Sequence, residues 1–106
     1  MIFALCAALA AEPSHAQSTA RPPNAFDRLL NLNADSLVQI FGAPVQDAQE
    51  GPARRLQFAG PACILDVYLY PPTDGAEPRV AYASARVADG READPNLCIT
   101  VLRLQR

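Results

Sequence analysis

The chain has one histidine, His15, no lysine, and no apolar run as long as a membrane-spanning helix. Each shortage removes a class of function. His15 falls in a segment expected to be cleaved on export, so the mature chain would carry no imidazole. That excludes Ser-His-Asp and Cys-His nucleophile arrangements and histidine metal sites. The five glycines form no phosphate-binding loop. All nine basic residues are arginine, which, with the heavy use of alanine, records a GC-rich genome rather than a function. They form no basic block and the formal net charge is −2, so neither nucleic acid nor an anionic membrane surface is indicated as a partner.

What is present fits one small globular domain. The 106 residues are 50% apolar, with charged residues making up 19% and interspersed rather than clustered. A domain of this size buries only about 60% of its unfolded surface, so its stability is marginal without a covalent or other staple.

The N-terminus reads as an export signal. Ile2 to Ala11 is apolar but well short of the ~20 residues a spanning helix requires. Ser14-His15-Ala16 then offers small residues at the two positions a signal peptidase reads, which places cleavage after Ala16. Only Met1 precedes the apolar run, so the positively charged n-region is missing. A buried N-terminal helix is the rival reading; Pro13 and the small-residue site weigh against it. Cys6 is not read as a lipid-attachment site, because Leu5 before it is too large for that processing. The expected organisation is a signal peptide over 1–16, a flexible tether over 17–23, and a single domain over 24–106 in the periplasm.

Within that domain, Asn24 can cap a short helix with Phe26, Leu29 and Leu30 on one face. A better-marked helix follows. Asn33 is its N-cap, Leu32 and Leu37 stand at the positions of a hydrophobic staple, and Asp35 complements the helix dipole. Gly42 supplies the C′ residue and Pro44 ends it. From Val45 the period changes to two. Val45–Glu50 reads as an edge strand, and Arg54–Phe58 as a strand with Leu56 and Phe58 inward. Between Gly60-Pro61 and Pro71-Pro72 lies the densest apolar run, in which Cys63, Leu65, Val67 and Leu69 share one face while Ile64, Asp66, Tyr68 and Tyr70 share the other. Arg79–Val87 is the next strand, with Ala81, Ala83 and Ala85 on one side and Val80, Tyr82 and Ser84 on the other. Asp94-Pro95 starts a C-terminal helix whose apolar face is Leu97, Cys98, Val101 and Leu102. The β-branched Ile99-Thr100-Val101 makes a final strand the rival. The fold class is α+β: a three- or four-stranded antiparallel sheet, with two N-terminal helices and a C-terminal helix packed on one face.

Export leaves two cysteines, and a Cys63–Cys98 disulfide is the leading pairing, against two buried free thiols. Both lie on predicted core faces. Two cysteines without histidine are too few for a metal site, and no cofactor is implied.

The carboxylates mostly fall in turns or beside arginines. Asp66 is the exception, flanked by Ile64 and Tyr68 on one strand face. An ion pair with Arg54, Arg55 or Arg86 is favoured over catalysis there. If the helices cover the Cys63/Leu65/Val67 face, then Ile64, Asp66, Tyr68, Tyr70 and Tyr82 line the opposite one. A tyrosine-rich exposed sheet face is the sort of patch that marks a partner site; the alternatives are coverage by the N-terminal segment or a second copy, or tyrosines that simply suit a half-wet sheet.

The stretch Leu32-Asn33-x-x-x-Leu37-x-x-x-Phe41-Gly42-x-Pro44, followed by strands carrying Leu56-x-Phe58 and Tyr68/Tyr70, resembles the BamE/SmpA/OmlA-like group of bacterial envelope proteins over roughly residues 32–70. The resemblance implies a periplasmic α+β module acting through protein contacts near outer-membrane assembly. Asn31 replaces the usual glycine before the motif, and the disulfide and C-terminal helix are additions. The expectation is therefore an exported, non-catalytic interaction module with an envelope protein partner. The alternative is a small-ligand binder or hydrolase using Asp66 beside a tyrosine-lined cleft.

Overall fold

In the computed structural model, residues 22–105 are described, and their strands follow one another across a single antiparallel sheet. The order is β1 (Gln46–Glu50), β2 (Ala53–Ala59), β3 (Ile64–Tyr70), β4 (Arg79–Arg86) and β5 (Glu92–Ala93). Two helices, α1 (Ala34–Phe41) before the sheet and α2 (Pro95–Leu104) after it, complete the α+β domain. The expected signal peptide, Cys6 and residues 17–21 of the tether lie outside the described residues.

α1 forms as its caps dictate. The Asn33 side chain accepts the Ser36 N–H at 2.9 Å, and Gly42, at φ 88°, donates its N–H to the Val38 carbonyl at 2.7 Å. Leu37 is fully buried, and the Phe41 ring packs on Phe58 with centroids 4.9 Å apart. α2 starts from Asp94, whose carboxylate accepts the Asn96 N–H at 2.9 Å, with Pro95 next in the chain. The helix, not the final strand, is what forms.

β3 sits at the centre. Its Leu65, Val67 and Leu69 are fully buried, together with Leu56 from β2, Leu29, Leu37 and Ile99. Cys63 and Cys98 are joined by a disulfide that ties the entry of β3 to α2 across 35 positions of sequence. In the chain-entropy model a loop of that length stabilises by about 4 kcal/mol.

Four expectations are corrected. Residues 25–31 form hydrogen-bonded turns, not a helix: Leu29 and Leu30 N–H both donate to the Phe26 carbonyl, at 2.8 and 3.2 Å. The Asn24 cap does form, reciprocally with Asp27, but Asn31 at φ 67° ends the segment before a helix can propagate. Leu29 is buried there, while Leu30 points outward. Second, the sheet has five strands, because Glu92–Ala93 pairs with Ala85 and Arg86; two residues carry no readable period.

Third, β4 is bulged. Tyr68 pairs with Tyr82 and Leu69 with Val80, so Ala81 is the extra residue. The bulge turns Val80 inward beside Ala83 and Ala85 and leaves Ala81 exposed. Strict alternation predicts the opposite arrangement. Fourth, α2 is rotated from its expected face: Cys98, Ile99 and Leu102 are buried and Leu97 is exposed. Apolar residues at 97, 98, 99, 101 and 102 allow either rotation, and Cys98 and Leu102 belong to both faces.

Candidate functional site

α1, α2 and the N-terminal turns all supply residues to the core on the Leu65/Val67 face. The other face of the sheet is built by alternation from Arg55 and Gln57 of β2, Asp66 and Tyr68 of β3, and Tyr82, Ser84 and Arg86 of β4. Register sorts them into rows. Gln57, Asp66 and Ser84 stand side by side, and Arg55, Tyr68 and Tyr82 form the next row.

Among the described residues, Asp66 is the buried charged side chain, at 3% exposure. Its burial is possible because three donors reach it from neighbouring positions. Arg86 Nη1 donates to Oδ2 at 2.7 Å, and Gln57 Nε2 and Arg55 Nη1 donate to Oδ1 at 2.8 and 3.2 Å. Both arginines lie one row away and reach in diagonally, as long side chains on a sheet do. Arg55 also donates to Glu50 on β1 at 2.6 Å, the first cause holding its guanidinium firmly protonated. The network thus spans β1 to β4. Of the three arginines named from sequence, Arg54 faces the other way and makes a bidentate pair with Asp47, at 2.8 and 3.0 Å. That pair lowers the Asp47 pKa.

Tyr68 and Tyr82 stand directly opposite one another, their ring centroids 5.6 Å apart and planes tilted by 39°. Tyr82 is 57% exposed and Tyr68 half-buried beneath it. Burial, followed by the nearby Asp66 charge, pushes the Tyr68 phenol above its ordinary range. Asp66, Tyr68 and Tyr82 are therefore brought together. Ile64 and Tyr70 share the face but sit at opposite ends of β3, Ile64 across from Arg86 and Tyr70 across from Arg79. Sequence reasoning missed Gln57 as the third donor to Asp66. Its alternation with Leu56 and Phe58 put it on the polar face, but only the β2–β3 register sets it opposite Asp66.

A cleft of about 310 Å³ opens along the outer edge of β4, lined by Tyr82, Ser84 and Arg86 and by Glu92 and Pro95 across from them. Asp66 does not line it. A second cleft, of about 250 Å³, lies between Phe41, Phe58, Gly60 and Leu102.

Among the described residues, no three of histidine, cysteine, aspartate or glutamate come together as a metal site would require. Nor is any helix among them long and apolar enough to cross a membrane. The chain matches no family model, no curated protein and no solved structure.

Proposed function

We propose that this protein is an exported, non-catalytic interaction module of the bacterial periplasm, whose sheet face around Tyr68 and Tyr82 binds an envelope protein. The observation that carries this reading is the one-sided layering. The helices and the N-terminal turns pack on one face of the sheet, leaving the other with a tyrosine pair, one ring of which is 57% exposed. Tyrosine and arginine are enriched among the side chains that dominate protein–protein contact energy, and tyrosine offers a large area with few rotatable bonds and a polar tip.

The Asp66 network supports the same reading. Both carboxylate oxygens are occupied by donors from flanking strands, which suits a group that fixes side chains on a surface. A hydrolase or ligand binder using Asp66 would need that carboxylate facing a cleft, and the nearest cleft is lined without it. Asn31 lends support to the proposed kinship with the BamE/SmpA/OmlA-like group. It stands where that group has glycine and adopts φ 67°, a conformation that favours glycine and that asparagine tolerates best among the others.

The test is affinity capture from envelope extracts with the oxidised protein and with Tyr68→Ala and Tyr82→Ala variants of unchanged melting temperature. Recovery of one envelope protein that both substitutions abolish is the expected result. Equal recovery by all three proteins would refute the surface.

A further inference from the structure

The β4 side of the sheet is closed by the chain itself. The Asn31 N–H donates to the Val80 carbonyl at 3.1 Å, and the Val80 N–H to the Leu32 carbonyl at 2.9 Å. β5 pairs with Ala85 and Arg86, and Asp94 and Pro95 continue from it into α2. β1 stands at the opposite edge and pairs with β2 alone.

The groups that β1 leaves free follow from its hairpin. Glu50 and Ala53 flank the two-residue turn Gly51-Pro52, with Gly51 at φ 61°, and the residues flanking such a turn exchange both main-chain bonds. Along an antiparallel strand the N–H and C=O of one residue point to the same side, and the side alternates from residue to residue. Ala48 and Gln46 therefore bond to β2 as Glu50 does, and the Val45 N–H also reaches the Gln57 carbonyl, at 2.7 Å. Asp47 and Gln49 point the other way. Among the described residues, no main-chain group bonds theirs on that side, and both residues are exposed.

We propose that β1 is a homodimer edge, joined antiparallel to β1 of a second copy about a two-fold axis beside Ala48. The register follows from the residues that point outward. Setting Ala48 opposite its own copy brings Asp47 opposite Gln49 on either side of the axis, so every outward-pointing residue of β1 pairs. Centring on Asp47 or on Gln49 gives a single such pair, because Val45 is already bonded to Gln57 and Gly51 lies in the turn. The same register suits the charges. Asp47 meets Gln49 and Glu50 meets Gln46, whereas centring on Asp47 sets two carboxylates directly opposite one another. Carboxylates on a short edge strand discourage pairing, but here each already holds a guanidinium from β2. Arg54 lies 2.8 Å from Asp47, and Arg55 lies 2.6 Å from Glu50. Val45, apolar yet 62% exposed, comes to lie beside the Gly51-Pro52 turn of the second copy. The axis is perpendicular to the sheet, so the joined sheet carries both tyrosine faces on one side and the helices on the other. Two five-residue strands bury less than the ~1,200 Å² of a stable interface, so the dimer is reversible and forms at high protein concentration. The inference does not depend on what the tyrosine face binds.

The test is sedimentation equilibrium of the oxidised protein from about 10 µM to about 1 mM, with amide hydrogen exchange followed at both ends of that range. A monomer–dimer equilibrium is expected. The Asp47 and Gln49 amides exchange about threefold or more slowly at the higher concentration, while Gln46, Ala48 and Glu50, bonded to β2, change little. Gln46→Lys sets an ammonium opposite Glu50 of the second copy and tightens the dimer, and Gln46→Glu sets a carboxylate there and weakens it, each by about threefold. Thr100→Lys and Thr100→Glu, at an exposed position of α2, make the same charge changes without effect on association. A protein that stays monomeric throughout the range would overturn the proposal. So would a dimer that leaves the Asp47 and Gln49 amides unchanged, or two Gln46 variants that shift association in the same direction. The tyrosine surface is judged separately, by its capture experiment.

Discussion

Arg86 Nη1 lies 2.7 Å from Asp66 Oδ2, so β4 is tied to β3 by a charged bond on the face of the sheet that the helices leave uncovered. Asp66→Asn keeps the shape of that side chain but leaves Arg86 without its counter-charge and Arg55 with Glu50 alone. Arg86 is 41% exposed at its side chain and Arg55 16%, so both regain part of their hydration, and the loss falls below that of a deeply buried pair. The expected destabilisation is about 2 kcal/mol by urea denaturation. Arg86→Met, which leaves Arg55 and Gln57 on the carboxylate, costs less, under about 1 kcal/mol. A larger effect from Arg86→Met than from Asp66→Asn would contradict the arrangement.

The Cys63–Cys98 bond carries the second expectation. Reduction adds one hydrogen to each sulfur and is visible by mass spectrometry of the intact oxidised protein. The Cys63→Ser, Cys98→Ser double variant loses about 4 kcal/mol, comparable to the whole stability of many small domains. It therefore unfolds at much lower urea.

Gly60 is packed under the end of α2. A Cβ there would stand 2.5 Å from Gln105 Oε1 and 2.7 Å from Leu102 Cδ2. Gln105 is exposed and swings away, but Leu102 is held in the core. Gly60→Ala is expected to destabilise by about 1 kcal/mol, with amide exchange rising in the last turn of α2. Gln105→Ala in the same background restores little, because Leu102 remains in the way.

Asn31 tests the turn that covers one end of β4. At φ 67°, Asn31→Val costs about 1–2 kcal/mol, whereas Asn31→Gly stays within about 0.5 kcal/mol of the parent. Equal losses from the two would mean that side-chain contacts, not backbone conformation, decide the position.

Tyr68 gives the pH dependence. Burial comes first and the Asp66 charge second in raising its pKa. The folded state therefore holds the phenolic proton more tightly than the unfolded chain. Stability from this group is complete below the unfolded value near pH 10 and declines as pH rises from there through the folded pKa. An ultraviolet titration should show a tyrosine ionising above free tyrosine, and Tyr68→Phe should remove that step.

The legible parts of this fold were those with local signatures. Asn33 and Gly42 mark the ends of α1 by what their own side chains and backbones do, and Asp94-Pro95 does the same for α2. The strong alternation from Cys63 to Tyr70 showed both faces of β3, and with it the separation of the Leu65 side from the Asp66 side. The parts that were not legible depend on register or on tertiary choice. The bulge at Ala81 reverses Val80 through a pairing slip that leaves no mark in an alanine-rich strand. α2 offered two apolar faces that share Cys98 and Leu102, and the choice of Ile99 over Leu97 is made by tertiary packing. The choice of Arg55 and Arg86 over Arg54 as partners of Asp66 follows from strand faces, but Gln57 needed the β2–β3 register.

Site-specific photocrosslinking in cells exporting the protein separates the two faces of the domain directly. A photoreactive side chain is placed at position 82 on the open sheet face or at position 97 on α2, where Tyr82 and Leu97 are 57% and 63% exposed. Nearly equal exposure leaves the face as the variable. A discrete protein adduct from position 82, absent from position 97, is the expected result. Adducts of equal yield from both positions, or from position 97 alone, would contradict the sheet face as the interaction surface.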